Sequence, residues 1–186
     1  MTEKTESSTG ICRRAFLRTL AGTAISLALM SPLDILAMPS NSGNLSFYHT
    51  HTGEQFELCL VKGQCTTPNK NALSTFLRDF RTGDIHPMDI QLFAVLQKIQ
   101  QESGSKGVFE VISGYRSPRT NAFLSSKSKG VARKSYHMKG RAIDIRLSDL
   151  RTKDLRDIAL DLRTGGVGYY RKLDFVHLDT GPVRFW

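Results

Sequence analysis

Ser135-Tyr136-His137-Met138-Lys139-Gly140-Arg141-Ala142-Ile143-Asp144-Ile145-Arg146-Leu147 is the stretch on which the reading of this chain turns. From Arg141 onward the residues alternate, with Ala142, Asp144 and Arg146 on one side and Ile143, Ile145 and Leu147 on the other. A period of two marks a strand with one face in a core. Asp144 therefore leaves the strand on the face away from the isoleucines. His137 precedes it by seven residues with Gly140 at the bend, so a turn there folds the imidazole back over the start of the strand. Phe175-Val176-His177-Leu178-Asp179 repeats the pattern, His177 and Asp179 sharing one face and Val176 and Leu178 the other. Pairing the two strands brings two imidazoles and one carboxylate together. His137, Asp144 and His177 are the expected metal ligands, and zinc with three N/O ligands and one open position is the arrangement of catalytic sites. Other divalent metals fit the same donors. Taken singly, each residue has a plainer role: a hydrogen-bonded strand histidine, or for Asp144 an ion pair with Arg141 or Arg146.

Outward from this centre, the pattern predicts strands over 45–49 and 55–60, joined by His51-Thr52-Gly53-Glu54 as a hairpin. Apolar residues at 73, 76, 77 and 80 predict a helix over 71–81, ended by Thr82-Gly83-Asp84. Pro87 is expected to open a second helix whose buried side is Ile90, Phe93, Ala94, Leu96 and Ile99. A strand over 108–113, a short helix over 118–126, a helix over 150–163 and strands over 167–170 and 175–179 complete the layout. The class is α+β, a small antiparallel sheet flanked by helices. His49-x-His51 lies in the hairpin far from any carboxylate ligand and reads as strand and turn residues. His86, ahead of Pro87, reads as structural, and the basic run 127–133 as a solvated loop that also suits acidic glycan peptides.

The chain has 186 residues and a formal charge of +9, enough for one domain plus a leader. Such a charge implies an anionic partner: nucleic acid, anionic lipid or an acidic wall polymer. Cys12-Arg13-Arg14-Ala15-Phe16-Leu17-Arg18 precedes a short apolar run and resembles a twin-arginine export signal. Residues 1–37 are thus expected to be that signal, 38–44 a linker and 45–186 the functional domain. The apolar run falls short of the roughly 20 residues of a stable span, although a retained signal anchor is the alternative to cleavage near Ala37. Loss of 1–37 removes four basic and three acidic residues, leaving +8 on the rest. Cys59 and Cys65 either pair across a short loop in an oxidising compartment or remain thiols. A nucleic-acid partner is disfavoured by the export signal and by the lack of a basic helix or aromatic stacking pattern.

The His-x6-Asp motif with its intervening Gly-x-Ala, followed much later by a strand histidine, resembles the LAS group of zinc peptidases. That group spans lysostaphin-type enzymes, D-Ala-D-Ala carboxypeptidases and the hedgehog signalling domain. Ile112-Ser113-Gly114-Tyr115-Arg116-Ser117, Ser135-Tyr136-His137, Gly165-Gly166-Val167-Gly168-Tyr169-Tyr170 and Phe175 to Pro182 are similar to its murein endopeptidases. The resemblance runs from about Leu45 to Trp186. It implies one zinc ion on His137, Asp144 and His177, on a hedgehog/D-Ala-D-Ala peptidase-like fold. It implies a general base three residues before the last histidine, Asp174. Strand alternation turns Asp174 away from the His177 face unless the chain twists before Phe175. Asp179 is the competitor, or an orienter of a histidine ring. Arg116 resembles the arginine that stabilises an oxyanion or anchors a substrate carboxylate; without the family it is a turn residue in an ion pair. Ser135 is a weaker substrate contact, and Tyr136 a packing residue. The implied activity is hydrolysis of peptidoglycan cross-links between D-alanine and meso-diaminopimelate in the periplasm of a Gram-negative bacterium. A D,D-carboxypeptidase and a non-catalytic metal-containing wall-binding module are the alternatives.

Overall fold

The structure is a computed structural model that describes residues 42–61, 67–128 and 130–186. Seven strands form one sheet: β1 (Ser42–His49), β2 (Gln55–Val61), β3 (Phe109–Ser113), β4 (Ala142–Leu147), β5 (Gly166–Tyr170), β6 (Phe175–Asp179) and β7 (Arg184–Phe185). Among the described residues four α-helices accompany it: α1 (Thr67–Phe76), α2 (Ile90–Ser103), α3 (Pro118–Lys127) and α4 (Thr152–Leu162). The spatial order is β2-β1-β3-β4-β6-β5-β7. The α+β class holds, but the sheet is mixed: β1 runs parallel to β3 and β5 parallel to β7, the remaining pairs being antiparallel.

The apolar face includes the residues that alternation assigned to it in β4 and β6. Leu45, Phe47, Leu58, Leu60, Phe109, Val111, Ile143, Ile145, Val176 and Leu178 join Leu73, Phe76, Leu92, Phe93, Leu96, Ile99, Leu155 and Ala159 of three helices in one buried cluster. Burying side chains of this size contributes about 1.5–3 kcal/mol each, which fixes strand register, because a slip of one residue would move every isoleucine to water. The opposite face of β4, β5 and β6 is left to polar groups. Register places Asp144 beside His177, with Gly168 on the far side of His177, and Ala142 and Gly166 on either side of Asp179. A bulge between Val111 and Ser113 brings Ser113 opposite Asp144.

Several boundaries differ from the sequence expectation, each for a local reason. β1 begins at Ser42, inside the expected linker 38–44, because its polar start pairs with Leu60 and Val61 of β2. α1 ends at Phe76 and does not run to 81. Asp79, buried, accepts the backbone N–H groups of Ser117 and Arg81 and the Ser117 hydroxyl, holding the following segment in a turn. α2 starts at Ile90, not at Pro87: the Asp89 carboxylate caps it by accepting the Gln91 N–H at 3.0 Å. β7, unassigned by the sequence pattern, pairs Gly166 with Arg184 and Val167 with Phe185. The export leader and Cys65 lie outside the described residues, and with them the pairing of Cys59.

Candidate metal centre

Asp144 and His177 meet through β4–β6 register, and His137 comes from a one-turn 3₁₀ helix, Tyr136–Lys139. The Ser135 hydroxyl caps that turn by accepting the His137 N–H at 3.3 Å. Gly140 closes it in the left-handed region at φ 63°, its N–H donating to the His137 carbonyl. A Cβ at Gly140 would sit 2.1 Å from the Pro87 carbonyl oxygen, so both conformation and space require glycine. This turn is what carries the imidazole back over the strand.

The three donor atoms form a triangle. His177 Nδ1 lies 2.8 Å and His137 Nε2 3.2 Å from Asp144 Oδ1, and the two nitrogens are 3.2 Å apart. Bonds of about 2.0–2.1 Å in a tetrahedron set neighbouring donors roughly 3.3 Å apart, so the triangle has the size of one face around a zinc-sized ion. Among the described residues it is the group of histidine, cysteine and carboxylate side chains whose donors converge in this way. The donor chemistry supports the same conclusion. His137 Nδ1–H donates to the Gly114 carbonyl at 2.7 Å, which leaves Nε2 presenting a lone pair to a carboxylate oxygen. Two acceptors face each other, an arrangement that a cation between them relieves.

Electrostatics follow from burial. His137, Asp144 and His177 are 2%, 5% and 8% exposed. Burial holds the His137 pKa below its usual value, favouring the neutral, ligating ring. For Asp144 burial works against ionisation, but His137 and His177 outweigh it and keep the carboxyl well below the ordinary range. His177 is pulled down by burial, yet its hydrogen bonds to Asp144 and Asp179 raise it to about 9. Without an ion, a proton on His177 balances the two carboxylates; metal binding displaces such protons.

Asp179 contacts the His177 ring and is otherwise fully engaged. Its Oδ2 accepts from His177 Nε2 at 3.0 Å, and its two oxygens take both arms of Arg184 at 3.0 and 2.6 Å. The Gly181 and Gly166 N–H groups add 2.8 and 3.3 Å contacts. This carboxylate has no free lone pair facing the cleft and is held below the usual carboxylate range despite burial. Asp174 is not brought to the ligand triangle. It sits at φ 51° ahead of β6, with its side chain 63% exposed. Its Oδ1 accepts the Thr152 hydroxyl at 2.6 Å, and Oδ2 lies 3.7 Å from Arg146.

Arg116 does reach the centre. Its Nη2 is 3.5 Å from Asp144 Oδ2 and 3.4 Å from Ser113 Oγ, while its buried Nε has no hydrogen-bond partner. It lines a cleft of ≈ 680 Å³ whose walls include Val131, Lys134, Ser135, Tyr170, Phe175 and Trp186 as well as the ligands. Tyr136 packs its ring under Arg184, Arg141 and Lys139. His86 stacks on Tyr115 at 4.9 Å. His49 is fully buried, its Nδ1 accepting the His51 N–H at 3.3 Å, and His51 stacks on Phe80; neither faces a carboxylate ligand. Sequence reasoning missed Arg184 and Trp186. Their only signal was the β-forming composition of Val183, Phe185 and Trp186, which permits a short strand but gives Arg184 no role.

The comparisons with known proteins agree with this geometry. Residues 38–186 match the family model described as Peptidoglycan L,D-endopeptidase MepK. The chain is 42% identical over 173 residues to the probable peptidoglycan L,D-endopeptidase MepK of Haemophilus influenzae, covering 90% of this chain and 92% of that one. It is 38% identical over 175 residues to the peptidoglycan L,D-endopeptidase MepK of Escherichia coli, covering 93% and 96%. No helix among the described residues is long and apolar enough to cross a membrane. With a family match over most of its length and a triangle of donors that could hold a metal ion, the chain belongs to the MepK family of LAS-type peptidases, the family described as peptidoglycan L,D-endopeptidase.

Proposed function

We propose that this chain is an exported, zinc-dependent endopeptidase that cuts peptide cross-links in peptidoglycan. The observation that carries the reading is the triangle of His137 Nε2, Asp144 Oδ1 and His177 Nδ1 at the floor of an open cleft. A bound zinc ion would supply Lewis acidity toward water and the scissile carbonyl. The bond is of the L,D type named for the relatives, in place of the D-alanine–diaminopimelate bond implied by the resemblance. Export through the twin-arginine route to the periplasm rests on the arginine leader and on the location of the polymer that the relatives' name specifies.

Arg116 lines the cleft with its guanidinium beside Asp144, and its buried Nε–H has no partner. A donor of this kind stabilises the oxygen of a scissile amide as negative charge develops on it. For the proton acceptor we favour Asp174 over Asp179. Asp179 has its lone pairs filled by Arg184, His177 and two backbone groups, whereas Asp174 is exposed and adjoins Leu173 and Phe175 of the cleft wall. Rotation away from Thr152 frees its carboxylate to take a proton from water and pass it to the leaving amine.

The experiment is digestion of purified cross-linked muropeptide dimers by metal-analysed protein. One dimer joins an L- to a D-configured centre across the scissile amide, and the other joins D-alanine to a D-centre. Monomers from the first dimer alone, with one zinc per chain and none in His177→Ala, are expected. Cleavage of the second dimer alone overturns the bond assignment, and release of free D-alanine makes the enzyme a carboxypeptidase. Intact dimers with zinc-loaded protein leave a wall-binding module and end the peptidase reading.

A further inference from the structure

Arg184 reaches the metal centre by a path that a missing side chain leaves open. In the sheet order β6-β5-β7, Gly166 of β5 is the register partner of both Asp179 and Arg184. A Cβ at Gly166 would lie 2.5 Å from Asp179 Oδ2 and 2.6 Å from Arg184 Nη1. The guanidinium thus crosses an intervening strand through the space that glycine vacates and grips both oxygens of a carboxylate with no solvent exposure. Its own orientation is fixed three more times. The plane lies 5.1 Å from the Tyr136 ring and 5.1 Å from the Trp186 ring, and Nη1 donates to the Pro182 carbonyl at 3.0 Å.

We propose that Arg184 is a positioning residue of the metal centre, acting on His177 through Asp179. A carboxylate that accepts from one imidazole nitrogen selects the tautomer and aims the other nitrogen at the metal. Here Asp179 takes the Nε2–H of His177, so Nδ1 is the atom offered to the ligand triangle. Asp179 can hold that role only while it stays charged and in place. Arg184 secures both, as the cation paired with it and as a planar fork whose two arms match the two carboxylate oxygens. The inference deepens the metallopeptidase reading and rests on it.

The test measures metal binding and ring state, not turnover. Co²⁺ affinity is measured by chelator competition in the wild type, Arg184→Gln and Arg184→Lys, with the visible Co²⁺ bands as a record of coordination geometry. The His177 tautomer is read in the Zn²⁺-loaded proteins from imidazole ¹⁵N shifts. Loss of the outer partner of a metal-bound histidine weakens metal binding by about 10–100-fold; Arg184→Gln leaves that partner, Asp179, present but loosened, so a loss of about tenfold, the low end of that range, is expected. Part of it should return in Arg184→Lys, which keeps the charge but not the fork. The Nε2–H form of His177 should give way to a mixture in the Gln variant. A purely structural role would lower the melting temperature and leave Co²⁺ affinity, bands and tautomer untouched; that result, in Arg184→Gln or in Arg184→Lys if the first does not fold, overturns the inference. Wild-type protein that takes up no Co²⁺ removes the metal centre itself, a failure distinct from unchanged binding in the variants.

Discussion

Adding one methyl group at Gly140 tests how the His137 turn is built. Gly140→Ala places a Cβ on a residue at φ 63°, where an L side chain costs about 1–2 kcal/mol. The smaller conformational freedom of alanine in the unfolded chain returns about 0.4–1 kcal/mol. What distinguishes this glycine is the neighbour: the new carbon would meet the Pro87 carbonyl oxygen at 2.1 Å and His86 at 3.0 Å. A backbone oxygen cannot swing aside as a side-chain tip does, so an overpacking cost of about 1–3 kcal/mol is added. The total is about 1–5 kcal/mol, or roughly 2–20 °C for a domain of this size. Gly53→Ala supplies the internal control. Its φ is 72° and no atom lies within 4 Å of the added Cβ, so only the conformational cost of about 0–2 kcal/mol remains. Thermal unfolding followed by circular dichroism, on metal-free protein, gives both numbers. Metal titration should show weaker binding in Gly140→Ala alone, because displacing the hydrogen bond from Asp89 N–H to the Gly140 carbonyl carries His137 with it. Equal melting shifts in the two variants would refute the argument from the Pro87 contact.

Zinc at about 1,000 times its Kd should stabilise the wild type by about 4 kcal/mol, and chelation should reverse it, while His177→Ala shows no such rise in scanning calorimetry. Asp174→Asn should bind zinc as the wild type does and lose muropeptide turnover; full turnover would remove Asp174 as the base. His49 sets an acid limit on stability. Burial, with His51 nearby, lowers its pKa from 6.5 to about 4, so between these values the unfolded chain binds a proton that the folded one refuses. Stability from this group is complete above pH 6.5 and declines as pH falls toward 4, by roughly 3 kcal/mol in all. Urea titrations from pH 4 to pH 7 should therefore show a shallower acid slope for His49→Gln than for the wild type, and parallel profiles would disprove the assignment.

The ligand triangle was legible because the strands that carry it alternate cleanly. Ile143 and Ile145 assign Asp144 to the outer face with no tertiary information, and Val176 and Leu178 do the same for His177. The turn at Gly140 was legible from a glycine between a polar segment and a strand. Segments stabilised by distant partners were not. Nothing in Ser42-Gly43-Asn44 favours a strand; β2 holds it there. α1 stops at Phe76 because Asp79 finds its donors at Ser117, 38 residues away in sequence. The fate of Asp174 depended on φ at one residue and on Thr152 at the start of α4, and alternation could say only that it did not share the His177 face. Arg184 was invisible for a related reason: a lone arginine has no meaning until Gly166 opens the way to Asp179.

Trp186 is the chain's single tryptophan, and its ring centre lies 5.3 Å from that of His177, with Nε1–H donating to the Tyr170 hydroxyl. Indole fluorescence is quenched by a protonated imidazole or a paramagnetic ion at such a range. Selective excitation of this one ring therefore reads the state of the cleft directly. Emission from unlabelled protein becomes a running record of ion entry, ion loss and ligand arrival, followed in real time by stopped flow.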